Sequence, residues 1–412
     1  MSLARLRAVL QSTYRVHLES SPTLVVRLNR ITQNRNQAIA NGGGIPVPTK
    51  QATAIDIRGA RDWLVRPIDL LHKIGSLTTP ADANLAALSA SWATRRYFWS
   101  IAEPAGIRAS FHLSADARGL DFHQKTLLSD EFGIGFAGLL LEDRFGAGQF
   151  VDISKALQDT QTYQEIQQIG RTQPDYLIWD EAPGSPYYVV ECKGSQSSRG
   201  YSLEQLHRGL EQVPSIVFGA GARQVTSLVV ATYLGESSTR VLVIDPPSDP
   251  PDFEDGDDLN SENVSERIGK RTWRIPNSER FAGRAWLAQE SALLKWAGQY
   301  RQASERDAEL EPRARRIREI PQSAEPERQD TEFGVFVGTR NSSFPELGRN
   351  RVQIFTGIEE QLFASLTERN PQTREIALRN QTRLHHDREQ ARGLSPYTSI
   401  SQNGTCMIVE GL

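Results

Sequence analysis

The chain has 412 residues, 38% hydrophobic and 24% charged, with 47 Lys and Arg against 50 Asp and Glu for a formal net charge of −3. That size and balance fit a globular protein of two or three domains and exclude a disordered chain or a small disulfide scaffold. No apolar run approaches the length of a membrane-spanning helix, the first twenty residues lack a secretory pattern, and two cysteines (Cys192, Cys406) cannot build a disulfide framework or a zinc site, so a reducing, cytoplasmic setting without membrane is expected.

Residues 1–120 form an N-terminal region. Its first 73 residues hold eleven basic and four acidic side chains, a local charge of +7, as expected of a nucleic-acid-binding face. The breaker "NGGGIPVP" interrupts it at 41–48. Residues 121–245 show the cleanest succession of elements. "IGFAGLLLEDRFG" predicts a helix with a small-residue face, and "QFVDISKAL" a strand. "DYLIWD" and "PYYVVECKG" are β-rich runs joined in hairpin fashion through Glu181–Ser185. "SLEQLHRGLEQV" spaces Leu203, Leu206, Leu210 and Val213 as one helical stripe, with Ser202 placed to cap it. "SLVVATYL" and "RVLVID" return to strand character.

Residues 246–330 read as an acidic loop and a charged helical linker. Eight acids and no base lie between Asp245 and Glu262, whereas 267–284 carry six basic residues against Glu279. Residues 331–412 form a small C-terminal α/β unit on "FGVFVGTR", "RVQIFTGIEEQLFASL" and "TCMIVEGL". Only seven of the 47 basic residues are lysine, which reflects genomic bias first and phosphate recognition second.

Most short motifs carry no chemistry. "GIGFAG" (Gly133, Gly135, Gly138) has the spacing of a dinucleotide loop but lacks a strand before it, so close packing of a helix on a sheet explains it better. His385-His386-Asp387 has no third ligand in sight, and no nucleophile elbow appears.

The informative stretch is "RTQPDYLIWDEAPGSPYYVVECKGSQSS" (171–198). Side chains alternate along a strand, so Glu191 and Lys193 share one face while Cys192 turns to the core as a small apolar residue. Asp175, at the head of the neighbouring strand, falls beside Glu191. Two carboxylates at a sheet end suit Mg²⁺, and a lysine beside them suits the orientation of an attacking water and neutralisation of charge on phosphorus.

Pro174-Asp175, fifteen residues, then Glu191-Cys192-Lys193 resembles the signature of the PD-(D/E)xK nuclease superfamily, and the resemblance covers about residues 125–235. It implies an α/β fold with a restriction-endonuclease-like core, a mixed central sheet flanked by helices in the order αβββαβ, carrying N- and C-terminal additions. It further implies Mg²⁺, or Mn²⁺ in its place, held by Asp175, Glu191 and the Cys192 carbonyl, with Lys193 positioning water. Gln205 occupies the place of a glutamine that many relatives carry on the following helix, and Glu131 or Glu142 would supply a further acid. The expected activity is phosphodiester hydrolysis, most readily of DNA, in bacterial restriction or anti-phage defence, with partner proteins or a homo-oligomer left open. The alternatives are a non-catalytic nucleic-acid-binding scaffold, an RNase or a repair or recombination nuclease, and a simple ion-pair cluster at a sheet rim.

Overall fold

The computed structural model describes residues 2–44, 52–57, 62–78, 95–157, 167–168, 174–178, 187–213, 216–218, 225–245, 273–275, 278–310, 325–343, 352–390 and 395–412. Polar caps start several of its helices. Ser2 accepts the Arg5 N–H ahead of α1 (Leu3–Leu10), and Ser21 accepts that of Leu24 ahead of α2 (Pro22–Asn41). After α3 (Pro67–Leu77) and α4 (Ala115–Arg118), Asp121 caps the long α5 (Phe122–Phe145), which ends where Gly146 takes a left-handed φ of 65°. The remaining helices are α6 (Ile153–Leu157), α7 (Arg199–Gln212), α8 (Ser278–Trp296), α9 (Tyr300–Leu310), α10 (Glu360–Thr367) and α11 (Thr373–Gln390).

Seven strands build the main sheet: β1 (Tyr14–Glu19), β2 (Asp62–Val65), β3 (Phe150–Asp152), β5 (Tyr176–Ile178), β6 (Tyr187–Ser195), β8 (Val225–Leu234) and β9 (Thr239–Ile244), in the order β2-β1-β9-β8-β6-β5-β3. β3, β5 and β6 are antiparallel neighbours; α7 then carries the chain across to β8, parallel to β6. Three short strands, β4 (Gln167–Gln168), β7 (Ile216–Phe218) and β10 (Trp273–Ile275), form a small sheet. The C-terminal residues form an antiparallel sheet, β11-β12-β13-β15-β14, from β11 (Glu327–Thr331), β12 (Gly334–Ser343), β13 (Val352–Glu359), β14 (Thr398–Ile400) and β15 (Thr405–Glu410). Among the described residues no helix is long and apolar enough to cross a membrane.

The main sheet is the middle of three layers. Val190, Cys192, Leu228 and Val230 face α5 and α3 in the largest cluster of buried side chains. On the other face, Leu24 and Leu28 of α2 and Leu206 and Leu210 of α7 cover Val229, Ala231 and Leu242, while Phe281 and Ala285 of α8 cover Val189 and Leu177. Strands buried on both faces read as continuous apolar runs, which is why "SLVVATYL" and "RVLVID" stand out in the sequence.

Two local expectations change. "QFVDISKAL" is a strand only to Asp152, whose carboxylate accepts the Ser154 N–H and so turns the chain into α6. Ser202 lies one turn inside α7 and bonds back to the Arg199 carbonyl, whereas Ser198 is the cap. "GIGFAG" sits in mid-helix as packing glycines. Gly135 and Gly138 face Leu70, Ile74 and Leu77 of α3. Gly133 faces β6, and a Cβ there would come within 2.9 Å of the Gly194 nitrogen. The hairpin connection expected at Glu181–Ser185, the acidic run after Asp245 and residues 311–324 of the charged linker lie outside the described residues.

The contact between α5 and β6 is backbone on backbone. A Cβ on Gly194 would overlap the carbonyl oxygen of Ser129, so no side chain fits. Gly194→Ala is therefore expected to lower stability by about 3 kcal/mol or more, as chemical denaturation would measure, because helix and strand must part to admit the methyl group.

Candidate active site beside the start of strand β5

β6 is buried on both faces from Val189 to Cys192, past the point where its neighbour β5 begins. Their register ends with Tyr176 opposite Val190. Asp175, immediately before β5, sends its N–H to the Val190 carbonyl at 3.1 Å and accepts the Ile153 N–H on its own carbonyl at 3.2 Å. Its carboxylate then takes the backbone N–H of Cys192 at 2.8 Å. That bond substitutes for the next rung of the ladder and locks Asp175 beside the Glu191-Cys192-Lys193 segment. The N–H and C=O of one strand residue point to the same side, so the Cys192 carbonyl is also turned toward Asp175. Its thiol lies in the core, where burial pushes its pKa up and keeps it inert.

Glu191 projects to the opposite face. It is fully buried, with its Cγ 3.3 Å from where a Cβ on Gly209 of α7 would stand. Oε1 is paired with the ammonium of Lys193, while Oε2 makes no hydrogen bond among the described residues. Burial first, and the Asp175 carboxylate second, push the Glu191 pKa up to about 8; Lys193 pulls it back in part. Asp175 is likewise raised by burial, against the pull of Lys193 and the Cys192 amide. Burial alone would lower Lys193, but Glu191 and Asp175 outweigh it and hold the amine above its usual value. One lysine thus balances two buried carboxylates.

Two further acids act on this cluster. Asp130 on α5 is raised by burial and lowered by Lys193, and its charge in turn raises Asp175. Asp152 raises Asp175 too. The acid that α5 brings near Lys193 is therefore Asp130. Glu131 is turned to the Tyr97 hydroxyl and Arg96. Glu142 lies three turns further along, fully buried, with Lys73 Nζ at 2.6 Å and the Gln402 backbone N–H on its other oxygen. It fastens α5 to α3 and to the β14–β15 turn. Asp130 was legible in principle: Ser129 and Gly133, small residues four apart, mark the helix face that touches β6, and Asp130 adjoins them.

Gln205 is half-buried on α7, four residues before Gly209. Because α7 runs back along β6, one helical turn, about 6 Å, brings Gln205 to the level of Lys193, two residues and roughly 6.6 Å along the strand from Glu191. Arg208 is exposed, its guanidinium 5.9 Å from the Tyr201 ring centre.

The basic N-terminal region is less free than its charge suggests. Arg5 pairs with Glu103, Arg15 with Asp62, Arg35 with Glu211, Arg66 with Asp69 and Lys73 with Glu142. Arg27 and Arg30 on α2 remain exposed.

Among the described residues no group of three or more His, Cys, Asp or Glu side chains is arranged to hold a metal ion. The donors at hand are two carboxylates and a backbone carbonyl, and one carboxylate oxygen is buried without a hydrogen bond. Such a set fits a hard cation that keeps part of its shell as water or phosphate oxygen. Comparison with protein-family models, curated proteins and solved structures finds no match to this chain.

Glu191 holds its proton more tightly in the folded chain, at about 8, than at its ordinary 4.5. The folded state then binds more protons between these values, so this group's contribution is fully present below pH 4.5 and is lost as pH rises to about 8. In EDTA, the stability of wild type relative to Glu191→Gln is expected to fall by on the order of 2 kcal/mol or more across that window. Urea denaturation of both proteins at several pH values checks this; parallel pH profiles would show that Glu191 is an ordinary carboxylate.

Proposed function

We propose that this chain is a divalent-metal-dependent nuclease of the PD-(D/E)xK type that hydrolyses phosphodiester bonds, with DNA as its substrate. The observation that carries the reading is the meeting of Asp175, Glu191, the Cys192 backbone and Lys193 where β5 begins beside β6. With the short α6 and the small-sheet strands β4 and β7 set aside, the order α5-β3-β5-β6-α7-β8 is in keeping with the αβββαβ order that the sequence resemblance implies. A role in restriction or anti-phage defence, with or without partner proteins, rests on that resemblance alone.

Asp175 and Glu191 would hold the cation together with the Cys192 carbonyl. Mg²⁺ or Mn²⁺, when bound, supplies a Lewis acid for the phosphoryl oxygen and lowers the pKa of an attacking water. The chain's own residues set up the rest. The Cys192 N–H keeps the Asp175 carboxylate from rotating away. Burial under α7 keeps Glu191 poorly solvated, so its charge needs a cation close by. Lys193, one-fifth exposed, has its ammonium at the boundary between this buried pair and solvent. There it orients water toward a scissile phosphate and offsets the charge that grows on it. Gln205 and Asp130 flank the lysine from the two helical layers.

Cleavage of supercoiled plasmid is expected to require Mg²⁺ or Mn²⁺ and to drop about a hundredfold or more in Glu191→Gln. Metal affinity should rise as pH rises toward 8, since the cation must displace the Glu191 proton, and level off above it. Lys193→Ala separates catalysis from a rim of ion pairs. In a nuclease centre, metal raises the melting temperature of wild type and mutant alike while cutting collapses in the mutant. Full cutting in EDTA, or a wild type that neither responds to metal nor cuts duplex, single-stranded or RNA substrates, would overturn the assignment.

A further inference from the structure

A second charged recess lies on the same face of the sheet as Glu191 and Lys193. It is a cleft of about 320 Å³ lined by His17, Glu19, Ser21, Thr23, Arg199 and Arg240 among others. The strand registers fix its position. Lys193 is level with Ala231, Ala231 with Leu242 and Leu242 with Glu19, and one row higher Arg240 stands beside His17. Ala231 and Leu242 both pack under α7 and α2, so Glu19 and Lys193 project from that same face. Three strand spacings separate them, roughly 14 Å.

The chemistry of the cleft suits a phosphate. Two guanidiniums, Arg199 and Arg240, share the single carboxylate of Glu19 at 3.1 and 3.9 Å, leaving one positive charge in excess. The Arg199 side chain is 43% exposed and opens α7, shortly after the end of β6, so its head can leave Glu19 for an incoming anion. His17 is held toward its neutral form by burial and then by Arg240, so it adds a hydrogen-bonding ring and the two arginines supply the positive charge. Ser21 caps the twenty-residue α2 with its hydroxyl on the Leu24 N–H, and Pro22 has no N–H. Thr23, which lines the cleft, therefore carries the remaining first-turn amide at the positive end of the helix. Cavity, excess cationic charge and helix end coincide.

We propose that this cleft binds a backbone phosphate of the nucleic-acid strand that is cut at Lys193 and Glu191. The inference rests on the nuclease reading for the identity of the ligand. At 3.4 Å of rise per nucleotide, a separation of roughly 14 Å corresponds to about four nucleotides from the scissile phosphate. Glu19 keeps the arginines apart and oriented in the free protein, and it also weakens the site by neutralising one of them.

Binding is best measured in EDTA, where cutting plays no part, by fluorescence anisotropy of a labelled DNA duplex of about twenty base pairs. Arg240→Gln is expected to weaken binding about tenfold and Arg199→Gln,Arg240→Gln further, with the slope of log affinity against log salt falling by about one per arginine removed. Glu19→Gln should tighten binding severalfold, an outcome that loss of structure does not mimic. Equal affinity in wild type, Arg240→Gln and Glu19→Gln overturns the proposal. So does a cleft whose variants alter the affinity for inorganic phosphate but not for the duplex, which would make it a site for free anions. Cutting assays then stand apart: arginine-dependent binding by a protein that cuts nothing retains the cleft and overturns the nuclease reading, and the converse result does the opposite.

Discussion

The close approach of α5 to β6 sets the geometry of everything around the candidate centre. Gly194 follows Lys193 directly, and its Cα lies against the Ser129 carbonyl with no room for a side chain. Gly133 meets the same strand from one turn on. Helix and strand can touch this closely only because both sides lack a Cβ at the contact. Asp130 is carried beside Lys193 as a result, and Cys192 is sealed into the core between the two elements. At its far end α5 is pinned by the buried Lys73–Glu142 pair and the Gln402 backbone, so the helix is held at two points and cannot slide along the sheet. Buried pairs of this kind contribute little net stability but penalise other registers strongly.

Around that contact the protein concentrates negative charge where water is scarce. Asp175, Glu191 and Asp130 bear on Lys193, and Asp152 adds its charge to Asp175. A second cation, Lys155, acts on Asp152. Burial raises Glu191 until it competes for a proton near neutral pH. Burying these carboxylates costs stability, and under the function proposed above a divalent cation would offset that cost. Perturbation of this type, from burial combined with a specific neighbouring charge, is characteristic of functional sites.

The N-terminal strands bear on the same surface. β1 and β2 extend the sheet beyond β9, and α2 packs beside α7. Among the described residues, five of the eight basic side chains of residues 1–73 enter ion pairs, while Arg7, Arg27 and Arg30 stay exposed and Arg199 and Arg240 line the neighbouring cleft. Net charge counted along the chain therefore overstates what a nucleic acid would meet, and paired arginines at the surface contribute to orientation more than to affinity.

What the amino-acid sequence determines by itself is local. Apolar runs bounded by polar residues fix β5, β6, β8 and β9, the leucine stripe fixes α7, and strand alternation alone assigns Glu191 and Lys193 to one face and Cys192 to the other. The pairing of Asp175 with that segment follows from the hairpin, because neighbouring strands are short in sequence separation. The limits of that reading are equally specific. Ser202 has the right chemistry for a cap, yet Ser198 captures the helix start a turn earlier. Glu131 and Glu142 have the right chemistry for a ligand, yet the rotation of α5, set by where glycine can meet glycine, turns one to Tyr97 and the other to Lys73 and selects Asp130. The cleft of His17, Arg199 and Arg240 joins residues more than 180 positions apart through the β1–β9 pairing, a contact with no local signature. Tertiary packing decides such things because they depend on which backbone surfaces can approach, and side-chain periodicity within one element does not encode its rotation against another.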